Sequence, residues 1–494
     1  MARVLDVPTV LTVQVPKESM TLPDPRRRIL RKLFDGTSPG LRTSGVVCLQ
    51  ISTLISMWVS TQSAEASLIP FSKLKISPFH TELEPEKIRV RVSEGLAAPK
   101  IRGLDLQLYS GTDASGHRAL ASSDRLSEWQ FHCAGGGVQA KNSTSHQLIR
   151  VQGPLSLESP AGFLSLGQRP YRETLIIHPN GSSCEIVNRV DIEKYLDGLV
   201  NAEFSSKWSE EAVAAQVIAA RTYAYHQIQA MRGPKSARAA GQKASHFDVD
   251  STTRDQVYDG SYREDYRASR SVSRTRGVIL KASFNSNLPI KAFYHSTCGG
   301  QTELPSQVWG GSHAGFKRSV KCPYCAQSPK AHWELDYKPA EITMLLFQGL
   351  KAQGARPFLP RGSTLPIDWI SFLSQGSLSR FQVHSLDTSG RANQIAASWK
   401  WENRTLDLIL PAVKVRDWFG ATQMKSTAIQ ITPEYRAHSG SDLNQVVNFR
   451  IAGKGFGHGV GLCQWGAKTM GEQGFKTSDI LKLYYPDAIL GKAW

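Results

Sequence analysis

Apolar and polar residues alternate with period two from Lys87 onward. Lys-Ile-Arg-Val-Arg-Val there, and Leu104-Asp-Leu-Gln-Leu-Tyr109 after it, read as half-buried strands. Glu173–Ile177 and Cys184–Val187 continue the series, with Gly135-Gly136-Gly137 and Asn180-Gly181 predicting turns. The pattern changes at Ser209. That serine suits an N-cap, Glu210 and Glu211 suit the positive end of a helix dipole, and Ala212 to Met231 has high helix propensity. Gly233-Pro234 closes the helix, and its stripe of Val213, Val217, Ala220 and Ala224 predicts a face packed on a sheet. A second helix is expected over Tyr262–Arg276, then a strand at Val278–Leu280. A helix with a Pro-rich insertion is expected over 340–375, more strands over 380–432, and a Gly-rich loop and short helix near Asp479–Tyr485. The fold class is α+β, with more strand than helix.

The N-terminal 66 residues follow a different logic. Arg26-Arg27-Arg28 and Arg31-Lys32 precede an apolar run from Gly45 to Val59, and an Ala-x-Ala site follows at Ala64–Ala66. Basic flank, apolar stretch and small-residue exit read as a secretory signal, cleaved or kept as an anchor. The expected organisation is therefore leader and signal (1–66), Pro-spotted linker (67–86) and a folded region (87–490). The expected location is outside the cytoplasm, in the periplasm or cell envelope. The net charge is +17. The leader holds eight Lys/Arg and five Asp/Glu, a net of +3, so 17 − 3 leaves +14 on the remainder. Such a surface favours polyanions, yet no nucleic-acid motif accompanies it, and nucleic acid is not an expected partner.

Three stretches carry candidate chemistry. Glu203 stands among Ala202, Phe204 and Trp208, with Tyr195 and Tyr223 within reach; apolar surroundings raise a carboxyl pKa and suit a general acid. In Phe293-Tyr-His-Ser-Thr-Cys-Gly-Gly300, His295 and Cys298 are spaced by two residues, as are Cys322 and Cys325 downstream. These four would close a tetrahedral zinc site, or Cys298 would form a disulfide with Cys322 or Cys325; spacing leaves both open. Finally, the six glycines around His458 in Gly453–Ala467 demand unusual backbone or close approach, and His458, Gln464 and Trp465 are candidate sugar contacts.

Taken in order, these blocks resemble the SpoIID/LytB family of bacterial cell-wall proteins. Asn188-Arg-Val-Asp-Ile-Glu-Lys-Tyr leading into Glu203 is similar to the family's segment before its catalytic glutamate. Glu211–Ala224 is similar to its Ala-rich helix, His295-Ser-Thr-Cys-Gly-Gly300 with Thr302 and Trp309 to its central motif. Gly455–Gly461 with Gln464-Trp-Gly-Ala467 and Tyr484-Tyr-Pro486 is similar to its C-terminal signature. The resemblance implies a lytic transglycosylase that cleaves peptidoglycan glycan strands stripped of peptide stems, with Glu203 as the single acid/base. It equally accommodates a non-catalytic glycan binder that stimulates a cell-wall amidase. Arg221, Tyr223, His295, Thr302, Trp309, His458, Gln464 and Trp465 are the expected substrate contacts. One departure stands out: sporulation members carry a His and two Cys as a zinc site after the Ala-rich helix. Here His246 remains, but Asp250 and Asp255 stand where the cysteines are expected.

Overall fold

The computed structural model describes residues 84–113, 118–123, 125–160, 162–233, 245–284, 288–364, 368–436 and 445–494, all within the unit Thr81–Trp494. The signal segment and residues 67–83 of the linker lie outside the described residues. No helix among those described is long and apolar enough to cross a membrane. The architecture is mixed α+β.

Twelve strands come first: β1 (Lys87–Leu96), β2 (Lys100–Leu104), β3 (Gln107–Ser110), β4 (Ala121–Ser122), β5 (Leu126–Ala134) and β6 (Gly137–Asn142). Then follow β7 (Leu148–Gln152), β8 (Leu155–Glu158), β9 (Leu164–Leu166), β10 (Arg169–Tyr171), β11 (Thr174–Asn180) and β12 (Ser183–Asp191). With β13 (Val249–Asp250) they form two sheets, ordered β13-β1-β12-β11-β8-β3-β4 and β10-β9-β2-β5-β6-β7. Both turns read from sequence are present. Gly135 and Gly136 adopt positive φ between β5 and β6, and Gly181 does so between β11 and β12, the backbone twist that tight hairpins require. The run Leu104–Tyr109 is not one strand. Asp105 sits at φ 52° and breaks it, so that β2 joins one sheet and β3 the other; a short polar side chain tolerates that left-handed corner. A disulfide between Cys133 on β5 and Cys184 on β12 ties the sheets together, a pairing that spacing alone did not single out.

Helix α1 (Ile192–Glu203) follows directly on β12. The Asp191 side chain caps it, accepting from Glu193 N–H at 2.7 Å. The alternation ending at β12 hides this helix in the sequence, and Glu203 is its last residue rather than a loop acid. Helix α2 (Glu210–Arg232) begins at the expected cap, where Ser209 accepts from Ala212 N–H. Val213, Val217, Ala220 and Ala224 pack into the core shared with the sheets. Ala212, Ala215, Ile218 and Ala219 pack into a second core with Leu462, Met470, Ile480 and Tyr485. A helix buried on two sides must be slim, which accounts for its alanines. The second expected helix is shorter than its pattern, α3 (Tyr266–Arg274), because Asp265 caps it by accepting from Ala268 N–H.

Two short strands, β14 (Val278–Lys281) and β15 (Tyr294–His295), lead to helix α4 (Pro305–Trp309). From Trp333 to Ile451 the chain gathers round a core of its own, including Ile342, Phe372, Phe381, Trp399, Leu408 and Phe449. This is wider than the insertion expected at 340–375. The chain then returns through β16 (Leu462–Cys463), which pairs in parallel with β15 and sets His295 opposite Cys463. A helix over Gln464–Glu472, unforeseen in the Gly-rich sequence, and another over Thr477–Tyr484 complete the second core.

Candidate functional site: a shielded glutamate beside an aromatic cavity

Glu203 is partly exposed, yet among the described residues its carboxyl meets only neutral donors. The Val257 backbone N–H donates to it, and the Tyr294 hydroxyl hydrogen-bonds it. Desolvation outweighs both bonds and pushes its pKa up to about 7. Burial holds the Tyr294 hydroxyl well above its ordinary pKa, so it remains a donor. A chain of polar contacts fixes Tyr294. Gln256 Nε2 donates to the Tyr294 oxygen at 3.1 Å and to the Ala220 carbonyl of α2 at 3.2 Å. Tyr195 donates to Gln256 Oε1 at 3.0 Å. The rigid helix α2 thereby sets the ring that faces Glu203.

A cavity of about 470 Å³ lies against this group, lined by Tyr223, Arg254, Asp255, Lys291, Phe293, Tyr294, Trp309 and His458 among others. Glu203 is not itself a lining residue; it abuts the wall through Tyr294 and the 255–257 segment. Trp309, half exposed, stacks on Phe293 at 4.4 Å between centroids, and His458 lies 5.0 Å from Trp309. Asp255 brings a second carboxylate, but it accepts from Tyr223 at 2.6 Å, Gln227 at 3.3 Å and the Asp250 N–H at 2.9 Å. These three bonds tie it to the frame. On the chain leaving Glu203, Phe204, Trp208 and Trp465 form a row of rings at 5.8 and 5.6 Å. A second cavity of about 340 Å³ opens there, with Lys207, Trp208, Tyr266, Arg267 and Arg270 in its walls.

The glycine loop explains itself by close approach. Gly457 has φ 109°, and a Cβ there would stand 2.9 Å from the His295 Cβ. Gly461 has φ 72°, and a Cβ would meet the Phe293 carbonyl at 2.0 Å. The loop is thus pressed onto the strand carrying Tyr294. His458 braces this contact: its Nδ1 accepts from Val460 N–H at 3.0 Å, and it also bonds the Tyr294 backbone. Burial keeps it neutral, its pKa well below the ordinary value.

The sequence candidates therefore divide. Tyr223, Trp309 and His458 line the cavity, and Trp465 belongs to the neighbouring row of rings. Arg221 is a correction: it is fully buried, donating to Glu193 at 3.0 and 2.7 Å and to the Val272 and Val278 carbonyls. Its place on the inner face of α2 removes it from any substrate. Thr302 is buried and accepts from Val320 N–H at 2.8 Å, bracing a loop. Gln464 is buried in the first turn of its helix. His295 is buried too, its Nδ1 bonded to the Val460 carbonyl at 3.0 Å, and burial lowers its pKa to about 3. It does not join the cysteines either. The group of converging ligand atoms is Cys298, Cys322, Cys325 and Cys463, with sulfurs all within 4.8 Å of one another. In the region of the family's zinc site, His246 bonds Glu185, while Asp250 bonds Arg91 at 2.6 Å. Asp255, Gln256, Val257 and Lys291 went unrecognised as site residues because only the fold brings them to Glu203 and its cavity; Tyr294 lay in the quoted motif, next to the more conspicuous His295.

The family model SpoIID, stage II sporulation protein, matches residues 180–281, which include Glu203, α2 and Gln256. The amidase enhancer of Bacillus subtilis is 28% identical over 314 residues, 60% of this chain and 40% of its own. A protein of Brachyspira hyodysenteriae is 28% identical over 334 residues, 66% of this chain and 74% of its own. Stage II sporulation protein D of Bacillus amyloliquefaciens is 26% identical over 318 residues, 62% of this chain and 76% of its own. The chain thus spans well under half of the amidase enhancer and about three quarters of the other two. The matched segment carries the shielded glutamate and helix α2, and over it this chain is similar to the SpoIID family of stage II sporulation proteins.

Proposed function

We propose that this protein is an exported lytic transglycosylase acting on peptidoglycan glycan strands, with Glu203 as its acid/base. The observation that carries the reading is the Glu203 carboxyl, raised to about 7 beside an aromatic, basic cavity. Hydrolytic glycosidases generally use two carboxylates, one of them to manage water or a covalent intermediate. Here the nearby Asp255 is bound up by three donors, which favours a reaction needing only one. In that reaction protonated Glu203 donates to the oxygen linking a muramyl C1 to the next sugar, and the C1–O bond breaks. The muramyl C6 hydroxyl then attacks C1, and the Glu203 carboxylate takes its proton. Water is not consumed, Glu203 ends as it began, and the product carries a 1,6-anhydro ring. Trp309 and Tyr223 offer ring faces to sugars. Lys291 and Arg254 offer cations to the lactyl carboxylates that stem-free muramyl units bare.

The similarity to an amidase enhancer supports a second reading, a glycan-binding protein that stimulates a cell-wall amidase without cutting. One digestion separates them. Intact and amidase-stripped sacculi are incubated with the protein and the products are identified by mass. Anhydro-ended fragments, more abundant from stripped strands, are expected from the transglycosylase. Binding to strands and faster amidase turnover, with no anhydro ends, would establish the second reading instead.

A further inference from the structure

We propose that Cys298, Cys322, Cys325 and Cys463 bind one zinc ion in a closed, structural site that clasps the chain on both sides of the 333–451 core. The four sulfurs lie within 4.8 Å of one another, and all four residues are at most 2% exposed. A tetrahedral zinc with Zn–S bonds of about 2.3 Å sets its sulfurs about 3.8 Å apart; Cys298 and Cys325 sulfurs stand at 3.4 Å. Two disulfides would need only two separate pairs, with no reason for four sulfurs to converge. These four are free thiols, whereas Cys133 and Cys184 are joined.

The surroundings suit thiolates. The N–H groups of Cys298 and Gly466 donate to the Cys463 sulfur at 3.3 and 3.4 Å, and the Tyr484 hydroxyl lies 3.2 Å from the Cys322 sulfur. Such donors offset thiolate charge and orient metal ligands. Gly466 is required by the same packing: a Cβ there would stand 2.8 Å from the Cys322 sulfur and 2.0 Å from the Tyr484 oxygen. With four protein ligands, no position is left for substrate or water, so the ion is structural rather than catalytic.

The consequence is positional. Cys298 and Cys463 are 165 residues apart in sequence. Cys463 lies opposite His295 where β15 and β16 pair, and β15 carries Tyr294, the partner of Glu203. Zinc would fix that strand pair after the chain has wandered through the separate core. His295, the ligand suggested by spacing, is replaced by Cys463, which no short motif connects to the other three.

The test uses the full chain, produced with added zinc and purified without chelators. One zinc per chain by elemental mass spectrometry is expected, released as four thiols are titrated with an organomercurial. Cobalt(II) in place of zinc should give thiolate charge-transfer and tetrahedral ligand-field bands. Cys463→Ser should fall from one zinc to none, while His295→Ala should keep it. If Cys463→Ser does not fold, the parent's cobalt spectrum still reports the number of thiolate ligands. A folded parent without metal whose intact mass reveals two further disulfides would overturn the proposal. So would iron in place of zinc, or zinc lost from His295→Ala and kept by Cys463→Ser. None of these readouts depends on glycan cleavage.

Discussion

Helix α1 carries a glutamate in each terminal turn, and the two ends differ in every respect that matters for chemistry. Glu193, in the first turn, is buried against a guanidinium: Arg221 donates at 3.0 and 2.7 Å, and the Gly277 N–H adds a bond at 3.0 Å. Glu203, in the last, meets the Val257 N–H and the Tyr294 hydroxyl, and desolvation raises its pKa to about 7. A carboxylate held by a fixed cation inside the core serves as a structural anchor. One that faces neutral donors in a partly shielded site can hold and release a proton near neutral pH. The residue type and the helix are shared; the partner decides the role.

Substitutions can break this contrast from either end. Glu203→Gln has the largest expected effect, a loss of anhydro-product formation by about 10²- to 10⁴-fold, the usual worth of an acid/base, measured as initial rate on stripped glycan strands. The sign of its stability effect is opposite. Between pH 4.5 and about 7 the folded parent holds a proton that the unfolded chain has released, so the parent loses stability as pH rises through that window. The Gln variant has no such slope at this site and should melt no lower than the parent above pH 7. At the other end, Arg221→Ala strands Glu193 in the core and should cost about 3–5 kcal/mol in denaturant unfolding. An unchanged unfolding midpoint with a raised KM would instead return Arg221 to the substrate. Tyr294→Phe removes a donor that lowers the Glu203 pKa. The rate should fall roughly tenfold, about 1.4 kcal/mol, and its alkaline limb should move to higher pH, which a merely structural loss would not do. Trp309→Ala should be mildest, raising KM roughly fivefold through lost stacking with kcat little changed.

The sequence made much of this legible, and its failures have identifiable causes. Cap, composition and closing glycine were enough to bound α2 within two residues, because those signals are local. Helix α1 escaped because it continues directly from a strand, with Asp191 as both strand end and cap. Glu203 was visible as an acid among apolar neighbours, but Tyr294, Gln256 and Val257 reach it from segments far along the chain, and no periodicity reports such a meeting. Arg221 misled for a related reason: a cation on an Ala-rich helix looks like a surface contact until Glu193 is seen across from it. The cysteine cluster repeats the lesson, since two of its members are separated by two residues while Cys463 is brought in by the pairing of β15 with β16.

The protonation of Glu203 is the centre of this account and is open to direct titration. Carbon-13 labelling of glutamate side-chain carboxyls, with the Glu203 resonance assigned by its absence in Glu203→Gln, would follow that one group across pH by NMR. A midpoint near 7 is expected, with Tyr294→Phe moving it higher. A midpoint near 4.5, the ordinary value for glutamate, would mean that Glu203 is ionised at neutral pH and would contradict its role as the proton donor.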